Sequence, residues 1–139
     1  MKPIHTICYI SNAAPDLSDS DIEAIFNQAS TQNNEYNVSG ILLYNLEHFF
    51  QVLEGDEEYI IDLYENKIKK DTRHLDIYEV YNKTTEKPVF MGYDSKFNII
   101  KTEEDLQKIR KYLSSVRTTT SDKLTRLLRP FVIFQKLDK

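Results

Sequence analysis

Three polar side chains, Tyr9, Asn33 and Gln51, could together form a neutral hydrogen-bonding site on one face of the predicted sheet. Gln51 stands inside the apolar stretch HFFQVLEG, where a two-residue period puts it on one strand face with Phe49 and Leu53. A buried amide without partners costs about 1–3 kcal/mol, so Gln51 requires partners. We expect them from the Tyr9 hydroxyl and the Asn33 amide. Such a set suits a planar heterocycle better than an anion or a metal. The alternative is that Gln51 is a structural hydrogen bonder or an edge residue.

Lys67 is a second residue that does not fit its surroundings. It lies on the apolar stripe of the second predicted helix, seven residues after Ile60. Its long side chain can lie over apolar surface and keep the ammonium group in water, or it can contact a ligand. Lys67 and Asp71 are also spaced for an i,i+4 ion pair, in the weaker orientation with the lysine first. The stripe itself consists of Ile60, Leu63, Tyr64 and Ile68.

The elements that must position these residues follow an α+β order, β-α-β-β-α-β-β. Residues 5–11 form a first strand that is apolar on both faces, so it should be central and covered on both sides. The strands 38–45 and 48–55 are close enough in sequence to form an antiparallel hairpin. The other predicted elements are a helix after residue 18, a helix after Gly55, a strand at 76–81, a loop at 82–88 and a fifth strand at 89–99.

The first helix carries local start and stop signals. Ser18 or Ser20 can cap its first turn, and Ser20 with Glu23 fits a capping box. Asn33 or Asn34 can take the left-handed conformation that ends it. These signals predict a helix from about residue 18 to residue 34.

The tail beyond residue 100 has a different character. Residues 102–105 open a third helix, 115–123 read as a polar connector, and 124–135 form a short apolar helix that Pro130 ends or kinks. We expect these helices on the sheet face opposite the first two, because the first strand is apolar on both faces. The predicted organisation is one sheet domain at 1–100 and a helical extension at 101–139.

Composition excludes several classes of function. The chain has 139 residues, 40% of them hydrophobic, and a net charge of −4, which argues against a nucleic-acid partner. A single cysteine, Cys8, permits no internal disulfide and predicts a cytoplasmic location. No apolar run approaches the roughly 18 residues of a membrane span, and no secretory leader is evident. The three histidines lack metal-ligand spacing, so no metal site is predicted.

The segments ICYISNAAPDLSDSDIEAIFNQASTQNN, VSGILLY and FFQVLEG, in this order and spacing, resemble the BLUF domain, the blue-light-sensing family that uses flavin. The resemblance runs over residues 5–96. It implies a ferredoxin-like βαββαββ fold with a five-stranded mixed sheet, two helices on the flavin side and FAD held non-covalently between them. It also implies that Tyr9 donates an electron and a proton to excited flavin, and that Gln51 rearranges its amide and its hydrogen bond to the flavin C4 carbonyl.

The resemblance also assigns further flavin contacts. Asn33 matches a contact to the flavin carbonyl and ring edge, with Gln32 beside it. Lys67 and Asp71, in KIKKDTRH, match contacts to the pyrimidine side of the ring. The implied cofactor-binding set is Tyr9, Ile25, Gln32, Asn33, Gln51, Lys67, Ile68 and Asp71, in which Ile25 and Ile68 sandwich the flavin ring.

The fifth strand departs from the family pattern of Trp and Met two residues apart. Tyr93 stands at the Trp position and Ser95 at the Met position, so they are the predicted signal relay. Short members of the family signal through other proteins or through their own oligomers, which predicts a non-enzymatic switch with an unidentified protein partner or a homo-oligomer. The alternative is a ferredoxin-like interaction module without a working photocycle. A small hydrolase on this scaffold would need an anion cradle and a positioned Arg or His, and neither is visible.

Overall fold

The structure is a computed structural model, and it describes residues 3–90, 93, 97–116 and 118–137. Its elements follow the predicted order, with two helices after the last strand. The strands are β1 (Ile4–Ala13), β2 (Ser39–Asn45), β3 (His48–Asp56), β4 (His74–Thr85) and β5 (Phe97–Ile100). The helices are α1 (Asp19–Glu35), α2 (Glu57–Leu63), α3 (Glu103–Val116) and α4 (Thr119–Leu137), and a π-helical turn (Tyr64–Ile68) continues α2.

The five strands form one mixed sheet in the order β4-β1-β3-β2-β5. Strand β1 is antiparallel to β3 and β4, and β2 is antiparallel to β3 and parallel to β5. The central position of β1 explains why its sequence is apolar on both faces. This confirms the predicted α+β fold with a mixed five-stranded sheet.

Each face of the sheet carries its own apolar core. The face that we call the pocket face packs against α1 and α2, and its sheet residues include Ile7, Tyr9, Leu42, Phe49 and Leu53. The far face packs against α3 and α4, and its sheet residues include Cys8, Ile41, Leu43, Phe50 and Val52. The expectation that the C-terminal helices cover the second face is therefore confirmed.

Of the two predicted caps of α1, Ser18 is confirmed, but the predicted capping box and the predicted left-handed residue were wrong. Ser18 caps the helix and accepts a hydrogen bond from the Asp21 N–H at 3.1 Å, and the Asp21 carboxylate accepts one from the Ser18 N–H at 2.9 Å. The capping box is therefore Ser18 with Asp21, two residues earlier than Ser20 with Glu23. The left-handed residue after the helix is Asn37, with φ of 59°, because α1 runs on to Glu35.

The chain departs further from the prediction after residue 88. Strand β5 begins only at Phe97, so Tyr93 lies on a bend before the strand and not within it. Helix α4 begins at Thr119, inside the predicted polar connector, and the Thr118 hydroxyl accepts a hydrogen bond from the Ser121 N–H at 3.0 Å. Pro130 does not end this helix, which extends to Leu137. Within the described residues, no helix has the length and apolar character that crossing a membrane requires.

Candidate functional site

A pocket of about 410 Å³ lies on the pocket face, where α1 and the π-helical turn meet the sheet. All eight residues predicted to bind the cofactor line it. The remaining lining residues are Gln28, Ala29, Leu42, Phe49, Leu53, Leu63, Arg73 and His74. The structure therefore brings together side chains that are as far apart in the sequence as Tyr9 and Asp71.

Tyr9 and Gln51 form the polar centre of this pocket. They lie directly opposite each other on the paired strands β1 and β3, and both are buried. The Gln51 side-chain N–H donates a hydrogen bond to the Tyr9 hydroxyl. Asn33 lines the same pocket, but within the described residues its amide forms no hydrogen bond with Gln51. Of the two hydrogen-bond partners expected for Gln51, the structure therefore shows Tyr9.

The environment of Tyr9 keeps its phenol protonated. Burial raises the pKa of Tyr9 well above its ordinary value, and the Gln51 hydrogen bond opposes this only in part. The rings of Tyr64 and His74 each lie 5.8 Å from the Tyr9 ring, measured between centroids. Tyr9 is therefore a buried, neutral phenol among aromatic rings.

His74 fixes the end of the pocket and is a residue that sequence reasoning missed. Its Nε2 lies 2.7 Å from the Ile68 carbonyl oxygen, and its Nδ1 lies 2.8 Å from the Ser11 hydroxyl. Because a carbonyl only accepts, Nε2 carries a hydrogen and donates to Ile68, and in the neutral imidazole Nδ1 accepts from the Ser11 hydroxyl. His74 thereby ties β4 to β1 and to the π-helical turn.

The π-helical turn explains how Lys67 and Ile68 both reach the pocket. The Lys69 N–H donates to the Tyr64 carbonyl at 3.0 Å, the i to i+5 bond of a π-helix. The turn widens, and two consecutive side chains line the pocket together with Leu63 of the preceding turn. Lys67 is exposed at the pocket mouth, while Ile68 is partly buried. The sequence placed Lys67 on the apolar stripe of the second helix, and the structure shows that this position faces the pocket.

The predicted ion pair between Lys67 and Asp71 was wrong. The Asp71 carboxylate pairs with Arg73 instead: the Arg73 Nη2 lies 2.6 Å from the Asp71 Oδ2, and the Arg73 Nε lies 3.0 Å from the Asp71 Oδ1. The Arg73 backbone N–H also donates to Oδ1 at 2.9 Å. Burial raises the pKa of Asp71, but these hydrogen bonds and the positive charge of Arg73 outweigh it and lower the pKa. A bidentate guanidinium pair is stronger than a contact with a flexible ammonium group.

Arg73 is the second lining residue that sequence reasoning missed. It follows Asp71 by two residues in KIKKDTRH, and this spacing was the available signal. Only the tertiary structure shows that the loop before β4 turns the arginine back onto the aspartate. Among the described residues, no group of three His, Cys, Asp or Glu side chains is placed to hold a metal ion.

Tyr93, one of the two residues of the predicted relay, does not line the pocket. The Tyr93 ring lies 4.7 Å from the Tyr112 ring of α3 and packs against the far-face core. Ser95 lies outside the described residues. Tyr93 is thus on the opposite side of the sheet from Gln51.

Comparison with known proteins identifies the family. The model of the family described as "BLUF: Sensors of blue-light using FAD" matches residues 4–96. The chain belongs to the BLUF family. The cofactor of this family is a flavin, so the expected class of cofactor is confirmed.

Several BLUF relatives are similar to the chain over part of their length. It is 38% identical over 76 residues to "Photoactivated adenylate cyclase subunit beta" of Euglena longa, covering 55% of this chain and 9% of that protein. It is 40% identical over 75 residues to "Blue light- and temperature-regulated antirepressor BluF" of Escherichia coli (strain K12), covering 54% of this chain and 18% of that protein. The chain thus spans less than a fifth of the length of these curated relatives.

A solved structure is similar over nearly the whole chain. The BLUF structure of BlrP1, a Klebsiella pneumoniae protein, is 30% identical with a TM-score of 0.72, and the match covers 95% of this chain and 91% of that one. The similarity extends beyond residue 96, the last residue matched by the family model.

Proposed function

We propose that this chain is a blue-light sensor in which FAD occupies the pocket and the Tyr9–Gln51 pair is the switch. The observation that carries the proposal is the hydrogen bond from the Gln51 amide to the Tyr9 hydroxyl at the polar centre of the pocket. A structural glutamine on a sheet has no need of a neighbouring cavity. Here both side chains are buried and still border the same cavity, so a bound ligand would touch them both.

The pocket residues fit a flavin. The volume of about 410 Å³ lies within the range of roughly 300–1,000 Å³ that is usual for ligand sites. Ile25 from α1 and Ile68 from the π-helical turn offer apolar contact to a planar ring system, and the amides of Asn33 and Gln51 offer hydrogen bonds to its polar edge. The remaining residues that would hold the flavin are Gln32, Lys67 and Asp71, with Arg73 as an addition from the structure.

The bound flavin supplies blue-light absorption and an acceptor for one electron and one proton. Tyr9 is the donor of both, since the raised pKa keeps its phenol protonated until the electron leaves. Gln51 now donates to the Tyr9 oxygen. If its amide turns over, its carbonyl faces Tyr9 and accepts from the phenol, while its N–H group faces the pocket. The turn reverses the hydrogen-bond polarity at both ends of the side chain.

The output of this switch is a change in association, with no enzymatic step. We propose that a downstream protein or a second copy of the chain reads the state of the domain in the cytoplasm. The single cysteine, Cys8, is free and buried, as suits a reducing compartment. Nucleic acid and membrane are not proposed as partners, given the net charge of −4. We also propose the boundary near residue 100 between the sensor domain and the helical extension.

The experiment is the absorption spectrum of the purified, FAD-loaded protein before and after blue light. We expect structured flavin bands and a small red shift that reverses in the dark. Tyr9→Phe and Gln51→Leu should bind flavin and lose the reversible shift. Tyr64→Phe is the matched control, because Tyr64 is equally buried and its ring lies 5.8 Å from the Tyr9 ring, but it has no bond to Gln51. A normal reversible shift in Tyr9→Phe or Gln51→Leu would contradict the proposal.

An interaction module without a photocycle is the second candidate. The position of Tyr93 favours it, since Tyr93 packs against Tyr112 and the far-face core and does not line the pocket that Gln51 borders. This candidate predicts that the wild-type protein either binds no flavin or gives the same spectrum in light and dark.

A further inference from the structure

Glu54 is a carboxylate that is completely buried in the far face of the sheet. Its exposed fraction is 0%, and no ion pair with a lysine or arginine is found for it in the described part of the chain. Its oxygens accept from the Thr6 hydroxyl at 2.8 Å, from the Val89 N–H at 3.0 Å and from the Phe90 N–H at 2.7 Å. A buried charge is tolerated when hydrogen bonds of this kind replace water.

The hydrogen bonds of Glu54 fasten the segment 89–90 to the sheet. This segment follows β4 and precedes β5, and both of its side chains are buried. The Thr85 hydroxyl, at the end of β4, donates to the Thr6 hydroxyl at 2.7 Å and extends the network. An apolar residue at position 54 would fill the space, but it could not accept the two backbone N–H groups.

Helix α3 holds the same segment from the other side. The Tyr112 hydroxyl donates to the Val89 carbonyl. The Tyr93 N–H donates to the Phe90 carbonyl at 3.0 Å, and the Tyr93 and Tyr112 rings are in contact. The segment 89–90 is therefore clamped between strand β3 and helix α3.

The two strands that carry the switch also carry this clamp. In the register of β1 and β3, Tyr9 is opposite Gln51 and Thr6 is opposite Glu54. Each pair is joined by a side-chain hydrogen bond, and the pairs lie three residues apart on opposite faces of the sheet. A shift of β1 relative to β3 at the Tyr9–Gln51 pair therefore also displaces the Thr6–Glu54 pair, because close-packed strands do not deform independently.

We propose that Glu54 is a positioning residue that couples the Tyr9–Gln51 pair to helix α3 through the segment 89–90. The proposal rests on the proposed function, since it names the route by which the switch reaches the C-terminal helices. The hydrogen bonds of this route join Glu54 to the Val89 and Phe90 N–H groups and the Tyr112 hydroxyl to the Val89 carbonyl, so they do not depend on the Trp and Met of the family pattern.

The test compares hydrogen exchange in light and dark, peptide by peptide, for FAD-loaded wild type and Glu54→Gln. In the wild type we expect a light-dependent change in the exchange of α3. In Glu54→Gln we expect flavin binding and the reversible red shift to persist, while the change in α3 is lost. In the apoprotein, the Val89 and Phe90 amides should exchange faster in Glu54→Gln than in the wild type. Glu57→Gln is the matched control, because Glu57 binds His5 and Thr84 and does not touch the segment 89–90.

The outcomes separate this proposal from the proposed function. If Glu54 were only a structural residue, Glu54→Gln would speed dark exchange and keep the light-dependent change in α3, which overturns the coupling. A wild type with a red shift but no change in α3 also overturns the coupling alone, whereas a wild type without a red shift overturns the proposed function as well.

If Glu54→Gln does not fold, Tyr112→Phe removes the hydroxyl on the other side of Val89 and should abolish the same change. Retention of the change in Tyr112→Phe, with Tyr59→Phe as control, overturns the coupling.

Discussion

Replacement of Gly40 by alanine should destabilise the whole sheet, and the structure allows the effect to be estimated. Gly40 has φ of 137°, a backbone conformation that L residues rarely adopt. A Cβ atom built at this position would lie 1.9 Å from the Val52 carbonyl oxygen on the neighbouring strand. Ordinary contact begins at 3.4 Å, so β2 and β3 would have to separate by more than an ångström.

Two costs add at this position. The strained backbone costs about 1–3 kcal/mol. Separation of the strands weakens at least one ladder hydrogen bond, for about 0.5–1.5 kcal/mol more. We therefore expect Gly40→Ala to lose about 3 kcal/mol, or roughly 10 °C in Tm for a chain of this size.

The assay is thermal and urea unfolding of the apoprotein, followed by circular dichroism. Gly55→Ala is the matched control on the adjacent strand, since its Cβ would meet its nearest neighbour, the Asn37 carbonyl oxygen, at 3.4 Å and its φ is not left-handed. We expect the control to stay within about 1 kcal/mol of the wild type. A loss below 1 kcal/mol in Gly40→Ala would show that the strands adjust freely and would refute the reasoning.

Three further predictions concern a cap, a thiol and an ion pair. Ser18→Ala should cost about 1 kcal/mol in urea unfolding and Ser20→Ala less than about 0.5, because only Ser18 caps the backbone of α1; equal losses would contradict the assigned cap. Burial raises the pKa of the Cys8 thiol, so Cys8 should resist alkylation at pH 8 in the folded protein and react fully in urea; rapid native labelling would contradict this. Asp71→Asn should cost about 1 kcal/mol at pH 7, since the pair with Arg73 is partly exposed. Because the folded pKa of Asp71 is lowered, this difference should persist above the unfolded value of about 3.9 and shrink as the pH falls below it; a difference that shrinks near pH 7 would contradict the assignment.

The parts of the fold and site that the sequence could predict follow from strand periodicity. A two-residue period assigns Tyr9 and Gln51 to definite strand faces, and register then places them opposite each other. The apolar character of both faces of β1 correctly predicted helices on both sides of the sheet. The face on which a strand residue lies can be predicted because buried faces carry apolar residues at every second position.

The parts that the sequence did not predict depend on contacts between distant elements. The π-helical turn breaks the period of 3.6 residues that was assumed for the second helix, and no local residue type marks it. Arg73 and Lys67 are both basic and both near Asp71, so only the path of the loop decides which one pairs with it. Ser18 and Ser20 have the same capping chemistry and differ only in where the helix begins.

The late start of β5 has a physical cause that also bears on signalling. The apolar residues Val89 and Phe90 predicted a strand from residue 89, but their N–H groups bond to the Glu54 carboxylate and not to a neighbouring strand. A strand that began at residue 89 would take these donors into the sheet ladder and leave the buried carboxylate unpaired. Glu54 therefore keeps the segment 89–90 out of the sheet and in contact with α3. The residue that made the sequence prediction fail is thus the residue on which the proposed coupling depends, and Gln51 lies three positions before it on the same strand.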